Sequence, residues 1–426
     1  MLFGFDTAVI AGTTTALTQT YHLSAVLLGI TVASALWGTM LGAIFAGKPG
    51  DRYGRRDSLR SFALLYLVSA LGCSLAANWS MFLAFRFIGG LAIGGSSVLG
   101  PMYIAEIAPA RWRGRLVGFF QFNVVGGILL AYLSNYLIGL AGLGAWEWRV
   151  KIGIAAIPAI FFFLMLFYIP RSPRWLISTG RLEEARQVLR LTEPAAYEQE
   201  FNDILAAIQA DRRQPDQRLF TWKYRLPVFL AISIGLFNQL SGINAILYYL
   251  NDIFAAAGFN KVSSDLQAVI IGLTNLLFTM LGMTVIDELG RRALLLTGSV
   301  GTAGCLAGVA WVFLGGRHQS SLVWFLVAYI GFFALSQGAV IWVYISEIFP
   351  NTLRANGQSL GSFSHWFANA VISAIFPLMA ARSGGYPFVF FAFMMAVQFV
   401  TVLFLYPETK GMSLEDLERK LIANAN

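Results

Sequence analysis

Apolar runs of about 20 residues, the length needed to cross a bilayer's hydrocarbon core, recur from one end of the chain to the other. Their apolar positions do not alternate with polar ones, and the runs are too long for barrel strands. Backbone N–H and C=O groups in lipid must be satisfied within their own segment, so runs of this kind are helices. The pattern predicts spans over 1–21, 25–47, 57–77, 81–105, 115–139 and 148–169, then 225–256, 264–286, 293–314, 322–347, 354–381 and 386–406. The first run lacks a basic n-region and a small-residue cleavage site, so it reads as a span rather than a secretory signal. Between the two sets lies a charged stretch, 170–224, with amphipathic patterns around 181–190 and 195–210 that predict surface helices on a linker. It is too small for a separate catalytic domain.

Composition sharpens this picture. Of 426 residues, 57% are hydrophobic and 12% charged, about half the charged share, roughly 25%, of a soluble protein. Such a chain cannot cover a water-facing surface, and most of its exterior must meet lipid. A net charge of +8 would suit a nucleic-acid partner, but its placement argues against one. Lys48, Arg52, Arg55 and Arg56 share one short loop, Arg111, Arg113 and Arg115 another, and Arg291 and Arg292 a third, with Arg354 further on. The loops near residues 22, 78 and 142 are nearly free of Lys and Arg. This asymmetry predicts that both termini and the 170–224 linker are cytoplasmic. Cys73 and Cys305 fall within apolar runs and read as packing residues, not as a disulfide framework.

Three landmarks occur twice at nearly one offset. Asp51-Arg-Tyr-Gly-Arg-Arg56 follows the second span and Asp287-Glu-Leu-Gly-Arg-Arg292 the eighth. Glu106-Ile-Ala-Pro109 follows the fourth and Glu347-Ile-Phe-Pro350 the tenth, while Pro170 and Pro407 end the sixth and twelfth. The chain therefore divides into two parallel six-helix repeats, 1–169 and 225–406, joined by 170–224 and followed by a tail, 407–426. Carriers built this way bind substrate near the midplane between repeats and rock around it.

The motifs that punctuate these repeats are specific as an ordered set. They are Gly50-Asp51-Arg52-Tyr53-Gly54-Arg55-Arg56, Pro101-Met102-Tyr103-Ile104-Ala105-Glu106, Arg113-Gly114, Trp148-Arg149 and Pro173-Arg174-Trp175-Leu176 in the first part. The second part has Gln239-Leu240-Ser241-Gly242-Ile243-Asn244, Tyr248-Tyr249, Gly290-Arg291-Arg292 and Pro407-Glu408-Thr409-Lys410-Gly411. Across essentially its whole length the chain resembles the sugar porter family of the major facilitator superfamily. The resemblance is strongest to bacterial sugar–proton symporters, with the animal facilitative glucose transporters as relatives. It implies an all-α membrane protein with twelve transmembrane helices in two six-helix halves, carrying a hexose or pentose by alternating access in symport with a proton. It also implies a bacterial inner membrane. Uniport without proton coupling is the alternative. Two positions depart from the family pattern: Arg171 stands where an acid is usual, and Glu288 where an arginine is usual.

By the same resemblance, Gln121, Gln239, Asn244, Asn275, Trp342, His365, Trp366 and Asn369 fall at sugar-binding positions. Their chemistry suits that role independently. Amides supply paired donors and acceptors for hydroxyls, and aromatic faces pack on the C–H face of a sugar ring. His365 and Asn369 share a helix face with Ser362 and Ser373, as Asn244 does with Tyr248. The plainer reading is that such amides only glue helices together. Asn238 stands where relatives often carry Gln, and His365 where many glucose carriers have Gln or Asn. Asp6 and Arg86 are ionisable residues in apolar spans, where such groups are costly and usually functional. The resemblance places Asp6 at the proton-coupling acid and Arg86 at its basic partner; the plainer reading is a static pair joining two helices. Asp51, Arg55, Arg56, Glu106, Arg113, Asp287, Arg291, Arg292, Glu347 and Arg354 match a cytoplasmic salt-bridge latch that, in the family, holds the outward-facing state. Solvated loop charges are the alternative there.

Other function classes lack their signatures. No pore-lining charge ring is visible for a channel. Three histidines, widely separated, offer no metal or nucleophile constellation, so neither an enzyme nor a metal or other cofactor is expected. No Gly-x-x-x-x-Gly-Lys-Ser/Thr run occurs, so no nucleotide should drive transport. The expected partners are a monosaccharide, a proton and the lipid bilayer. His22 and His318 read as solvated loop residues, Asn78-Trp-Ser80 as an unused sequon, and the Gly89-Gly90 and Gly94-Gly95 pairs as close helix packing.

Overall fold

A computed structural model describes residues 1–192, 194, 196–213, 219–316, 319–350 and 353–412, except for the side chains of 110, 111, 113–115, 117, 118 and 210–213. His318 lies outside the described residues; His22 is exposed, at a left-handed helix C-cap (φ 52°). Every regular element among the described residues is a helix. In chain order they are α1 Leu2–Val9, α2 Thr14–Tyr21, α3 Ala25–Phe45, α4 Gly47–Tyr53, α5 Arg55–Ser74, α6 Trp79–Ile107 and α7 Ala110–Leu140. Next come α8 Glu147–Gly153, α9 Ala156–Met165, α10 Pro173–Ser178, α11 Leu182–Thr192 and α12 Tyr197–Arg213. The remainder are α13 Arg225–Leu240, α14 Ile243–Tyr248, α15 Leu250–Ala256, α16 Lys261–Leu289, α17 Arg291–Gly315, α18 Ser321–Phe333, α19 Ala339–Glu347, α20 Arg354–Arg382 and α21 Tyr386–Leu405. Ten helical segments among the described residues are long and apolar enough to cross a membrane. The chain is an integral membrane protein, all-helical among the described residues.

Most predicted spans match single helices to within a few residues, but four are broken. The first breaks at Thr13, whose N–H turns back to Ile10 O at 2.9 Å. The carbonyl of Val9, left without its i+4 donor, also accepts from Asn135 Nδ2 on α7 at 3.1 Å. The sixth breaks between Gly153 and Ala156, where Pro158 has no N–H to offer Ile154. The seventh breaks at Gly242, in the left-handed region at φ +85°, where an added Cβ would come within 2.3 Å of the Phe391 ring. The Ser241 carbonyl beside this break, and the Leu247 carbonyl before a second break at Tyr249, accept hydroxyl hydrogens from Tyr329 at 2.9 Å and Tyr132 at 2.8 Å. The tenth widens into a π-helical turn over Ala334–Gly338. Freed backbone groups are tolerated at membrane depth only where neighbouring side chains take them up. These breaks do so.

Close packing follows from glycine. An added Cβ on Gly90 or Gly94 would lie 1.9 or 2.0 Å from the backbone oxygens of Ala35 and Thr39, and one on Gly38 or Gly42 2.3 Å from those of Phe87 and Leu91. The α3–α6 interface is thus the small-residue contact that membrane helices use to approach closely, as expected for the glycine pairs. Asn78 of the sequon caps α6, accepting from Met81 N at 2.9 Å. In the linker, α10, α11 and α12 pack on a small core of Trp175, Leu176, Ile177, Ala185, Val188, Leu189 and Phe201.

Candidate functional site

The break between α13 and α14 leaves a polar knot inside the bundle. Gln239, 2% exposed, donates from Nε2 to Asn238 Oδ1 at 3.0 Å and lies 3.3 Å from both ring nitrogens of His365 on α20. Its Oε1 accepts from Asn244 Nδ2 at 3.1 Å. Glycine at 242 lets the chain turn so that these two amides, five residues apart, face each other. His365 sits between two indoles, with centroids 5.2 Å from Trp342 and 5.1 Å, edge-on, from Trp366. One turn further along α20, Asn369 donates to the Tyr248 hydroxyl at 3.2 Å and accepts from Ser373 at 3.1 Å. Six of the eight sugar-site positions therefore converge. Gln121 is half-buried on α7, and Asn275 on α16 accepts from Thr279 at 3.4 Å. Among the described residues, neither is hydrogen-bonded to a member of the knot.

Asp6 and Arg86 meet beside it. Arg86 Nη1 lies 3.2 and 3.3 Å from the two carboxylate oxygens of Asp6, while its Nε is buried without a partner. A small cavity touches this pair and is lined also by Phe3, Tyr248 and Trp366. The Phe3 ring lies 5.6 Å from that of Trp366. The carboxylate is thus one side-chain layer from the amide–aromatic knot. Tyr248, Asn238 and Phe3 belong to this neighbourhood; the sequence offered the Asn244–Tyr248 face and singled out Asn238, whereas Phe3 carried no signal. A larger cavity, about 610 Å³, lies elsewhere, in an apolar groove lined by Trp37, Leu83, Phe87 and Ala374. Its walls are apolar apart from Ser34 and the Trp37 indole, and suit lipid chains.

The repeated charge motifs fold into matching clusters. Arg55 reaches Asp51 at 3.0 Å and Glu106 at 3.1 Å, and Glu106 accepts from the Ser172 hydroxyl at 2.5 Å. Arg291 reaches Asp287 and Glu347, each at 2.8 Å, and Glu347 accepts from the Thr409 hydroxyl at 2.6 Å. Tyr103 and Tyr344 donate to the carbonyls of Pro170 at 2.7 Å and Pro407 at 3.2 Å. Both arginines follow a glycine at positive φ, Gly54 at +89° and Gly290 at +87°. Arg56 and Arg292 donate to the carbonyls of Ile169 at 3.2 Å and Leu403 at 2.6 Å. Arg354 keeps a buried Nε without a partner, and the Arg113 side chain lies outside the described residues. Among the described residues, every ion pair in these clusters stays within one copy of the repeat.

One position breaks the correspondence. Glu408 accepts from the N–H groups of Arg291, Arg292, Thr409 and Lys410, all at 3.0 Å, and so caps the N-terminus of α17. Burial pushes its pKa up, but the four N–H donors outweigh this and hold it below the usual glutamate value. Arg171 takes the matching place in the first copy and cannot accept these bonds. It donates instead to Asp57 at 3.1 and 3.3 Å, a carboxylate shared with Arg56 at 3.1 Å and Arg60 at 2.8 Å. The unusual charge has thus acquired its own partner, while Glu288 is simply exposed.

A family model described as "Sugar (and other) transporter" matches residues 1–421. The chain belongs to this family. Among its relatives is the D-xylose-proton symporter of Escherichia coli K12, 34% identical, covering 98% of this chain and 92% of the relative. The arabinose-proton symporter of Bacillus subtilis is also 34% identical, with the same coverage of both chains. The solved inward-open structure of the xylose transporter XylE from E. coli superposes with a TM-score of 0.88 at 33% identity, covering 98% of this chain and 96% of that one. XylE bound to 6-bromo-6-deoxy-D-glucose gives 0.81 at 34% identity, over 99% and 96%. These family members and structural neighbours are transporters, not enzymes, and so is this protein.

Proposed function

We propose that this transporter carries a monosaccharide, a pentose or hexose, across a bacterial inner membrane by alternating access, coupled to a proton. In this reading twelve spans form two six-helix halves, 1–169 and 225–406, with the 170–224 linker, the 407–426 tail and both termini in the cytoplasm. The α1–α2 pair and α5 supply the two spans beyond the ten that length and composition identify. The convergence of Gln239, Asn244 and His365 with Trp342 and Trp366 at a helix break carries the proposal. A discontinuous helix is where carriers of this construction expose binding groups, and amides beside indoles suit a ring with hydroxyl edges and a C–H face. Gln121 and Asn275, on facing helices, would complete the site as the two halves move.

The Asp6–Arg86 pair supports proton coupling. A carboxylate is poised between burial, which favours its protonated form, and a guanidinium, which favours the ionised one. The shared cavity with Tyr248 and Trp366 makes this balance sensitive to the sugar site. The charge clusters centred on Arg55 and Arg291 fit a cytoplasmic latch between conformations. Their confinement to single copies, with the higher similarity to the inward-open relative, supports an inward-facing state here.

Counterflow in proteoliposomes tests the function. Vesicles preloaded with D-xylose should concentrate labelled D-xylose or L-arabinose, and a competition panel ranks the sugars. Absence of counterflow with every monosaccharide tried would end the reading.

A further inference from the structure

The end of the molecule remote from the Arg55 and Arg291 clusters holds a second set of charges, outside every motif. Lys151 on α8 has a fully buried side chain, 0% exposed, yet its ammonium has three partners. They are Glu147 at 2.8 Å, Asp265 at 3.3 Å and the Gly12 carbonyl at 3.3 Å. Asp265, 3% exposed, also accepts from the Asn251 side chain. Glu147 accepts in turn from Lys261 at 2.6 Å. Glu147, Lys151 and Gly12 lie in the first repeat, and Asn251, Lys261 and Asp265 in the second. The four charges form an alternating chain, Lys261–Glu147–Lys151–Asp265, that crosses the seam between repeats twice. Room for it is made by Gly139 near the end of α7, where an added Cβ would stand 2.8 Å from Asp265 Oδ2.

Buried ion pairs are weak evidence for overall stability, because desolvation offsets their attraction. A pair formed across a moving seam is different. It exists only while the seam is shut, and opening must separate and rehydrate the charges. Such a contact has a differential free energy between two states, the one property that shifts a conformational equilibrium. The clusters at the opposite end lack this property in the present conformation, since none of their ion pairs among the described residues crosses the seam.

We propose that Lys151 is the hub of an ion-pair latch that closes the outer ends of the two repeats and sets the proportion of inward-facing transporter. The proposal rests on the alternating-access reading above. With two lysines and two carboxylates the latch is neutral when assembled, which favours burial of Glu147, Lys151 and Asp265 beneath a Lys261 that stays 64% exposed; losing one member strands a charge.

The test uses the full chain in nanodiscs, with Cys73→Ala and Cys305→Ala, and spin labels at exposed Ala77 and Ala256 on the outer ends of the two repeats. Electron–electron resonance distances are recorded with and without D-xylose. Lys151→Met should enlarge the long-distance, outward-open population about tenfold, because Asp265 loses its cation while buried. Gly139→Ala, which displaces the Asp265 carboxylate and alters no charge, should shift it the same way by less. Adding Asp265→Leu to Lys151→Met should move the distribution back toward the parent, since an apolar pair leaves no stranded charge. Unchanged distances in both Lys151→Met and Gly139→Ala, or no reversal in the double variant, overturn the latch. If Lys151→Met does not fold, Gly139→Ala alone decides: a shift toward long distances supports the latch, and unchanged distances overturn it. A parent whose distances never respond to sugar, in a preparation that also lacks counterflow, would instead overturn the alternating-access reading.

Discussion

The hydrogen-bond capacity of Gln239 makes a sharp demand on any sugar that binds beside it. One Nε2 hydrogen is engaged with Asn238 Oδ1 at 3.0 Å, the other is covered by the His365 ring 3.3 Å away, and Oε1 already accepts from Asn244 at 3.1 Å. One lone-pair site on Oε1 remains. A hydroxyl must therefore approach Gln239 as a donor. Gln239→Ala removes that acceptor, at about 1 kcal/mol for a neutral hydrogen bond, and frees Asn244 from its anchor, at about another 1 kcal/mol. The sum, about 2 kcal/mol, corresponds to a roughly 30-fold rise in Kd. Titration calorimetry on purified protein with D-xylose and its singly deoxygenated analogues reads this directly. The analogue lacking the donating hydroxyl should lose only the Asn244 share on mutation, about 1 kcal/mol or roughly fivefold in Kd, so the mutation and the deletion are non-additive. The reasoning fails if Kd for D-xylose moves less than twofold, or if the mutation costs the same against every analogue.

Three further outcomes follow from the geometry. Asp6→Asn should abolish sugar accumulation driven by a pH gradient while sparing counterflow; accumulation that persists removes Asp6 from coupling, and a parent that takes up no proton with sugar is a uniporter. Glu408→Ala should cost about 1–2 kcal/mol through loss of the α17 cap and its helix-dipole contact. Because the folded-state pKa is depressed, this stability is present above the ordinary value of about 4.3 and fades as pH falls through the folded value. The melting difference between parent and Glu408→Ala should hold at neutral pH and shrink only below about pH 4; a difference that vanishes at pH 6 contradicts the cap. Gly90→Ala should lower stability by at least about 1–3 kcal/mol, because its Cβ meets a backbone oxygen that cannot rotate away; an unshifted melting temperature would contradict the packing.

Membrane spans were legible in the sequence because lipid imposes a simple rule, a long apolar run with internally satisfied backbone. The doubled motifs were legible for a related reason: each marks a helix end, where charge and glycine must recur if the repeat recurs. Arg55 and Glu106 stand in motifs that match those of Arg291 and Glu347 along the chain, and the two pairs close in the same way. The broken helices were not legible, since apolar periodicity is blind to one residue of left-handed backbone. Gly242 stood within the Gln239–Asn244 motif, but nothing there marked a left-handed turn until Phe391 and the Ser241 carbonyl gave it a reason.

Pairing between distant segments was out of reach for the same kind of cause. Lys151 lies just past the Trp148-Arg149 motif but belongs to no motif itself, and Asp265 opens another span 114 residues away. Nothing local distinguishes a lysine that will be sealed against a partner repeat from one that snorkels to a headgroup. Likewise, Arg171 read as a lost acid, whereas folding set it against Asp57 and left Glu408 alone in the capping role. Residue type and period along the chain determined that this is a helical membrane protein and where its apolar runs fall, and the ordered motifs carried the resemblance to sugar porters that implied which side chains could meet a sugar. Only the tertiary structure decided which charges face each other across the seam, because that depends on how two helical bundles close, and the free energy of closure is written in contacts between residues the chain keeps far apart.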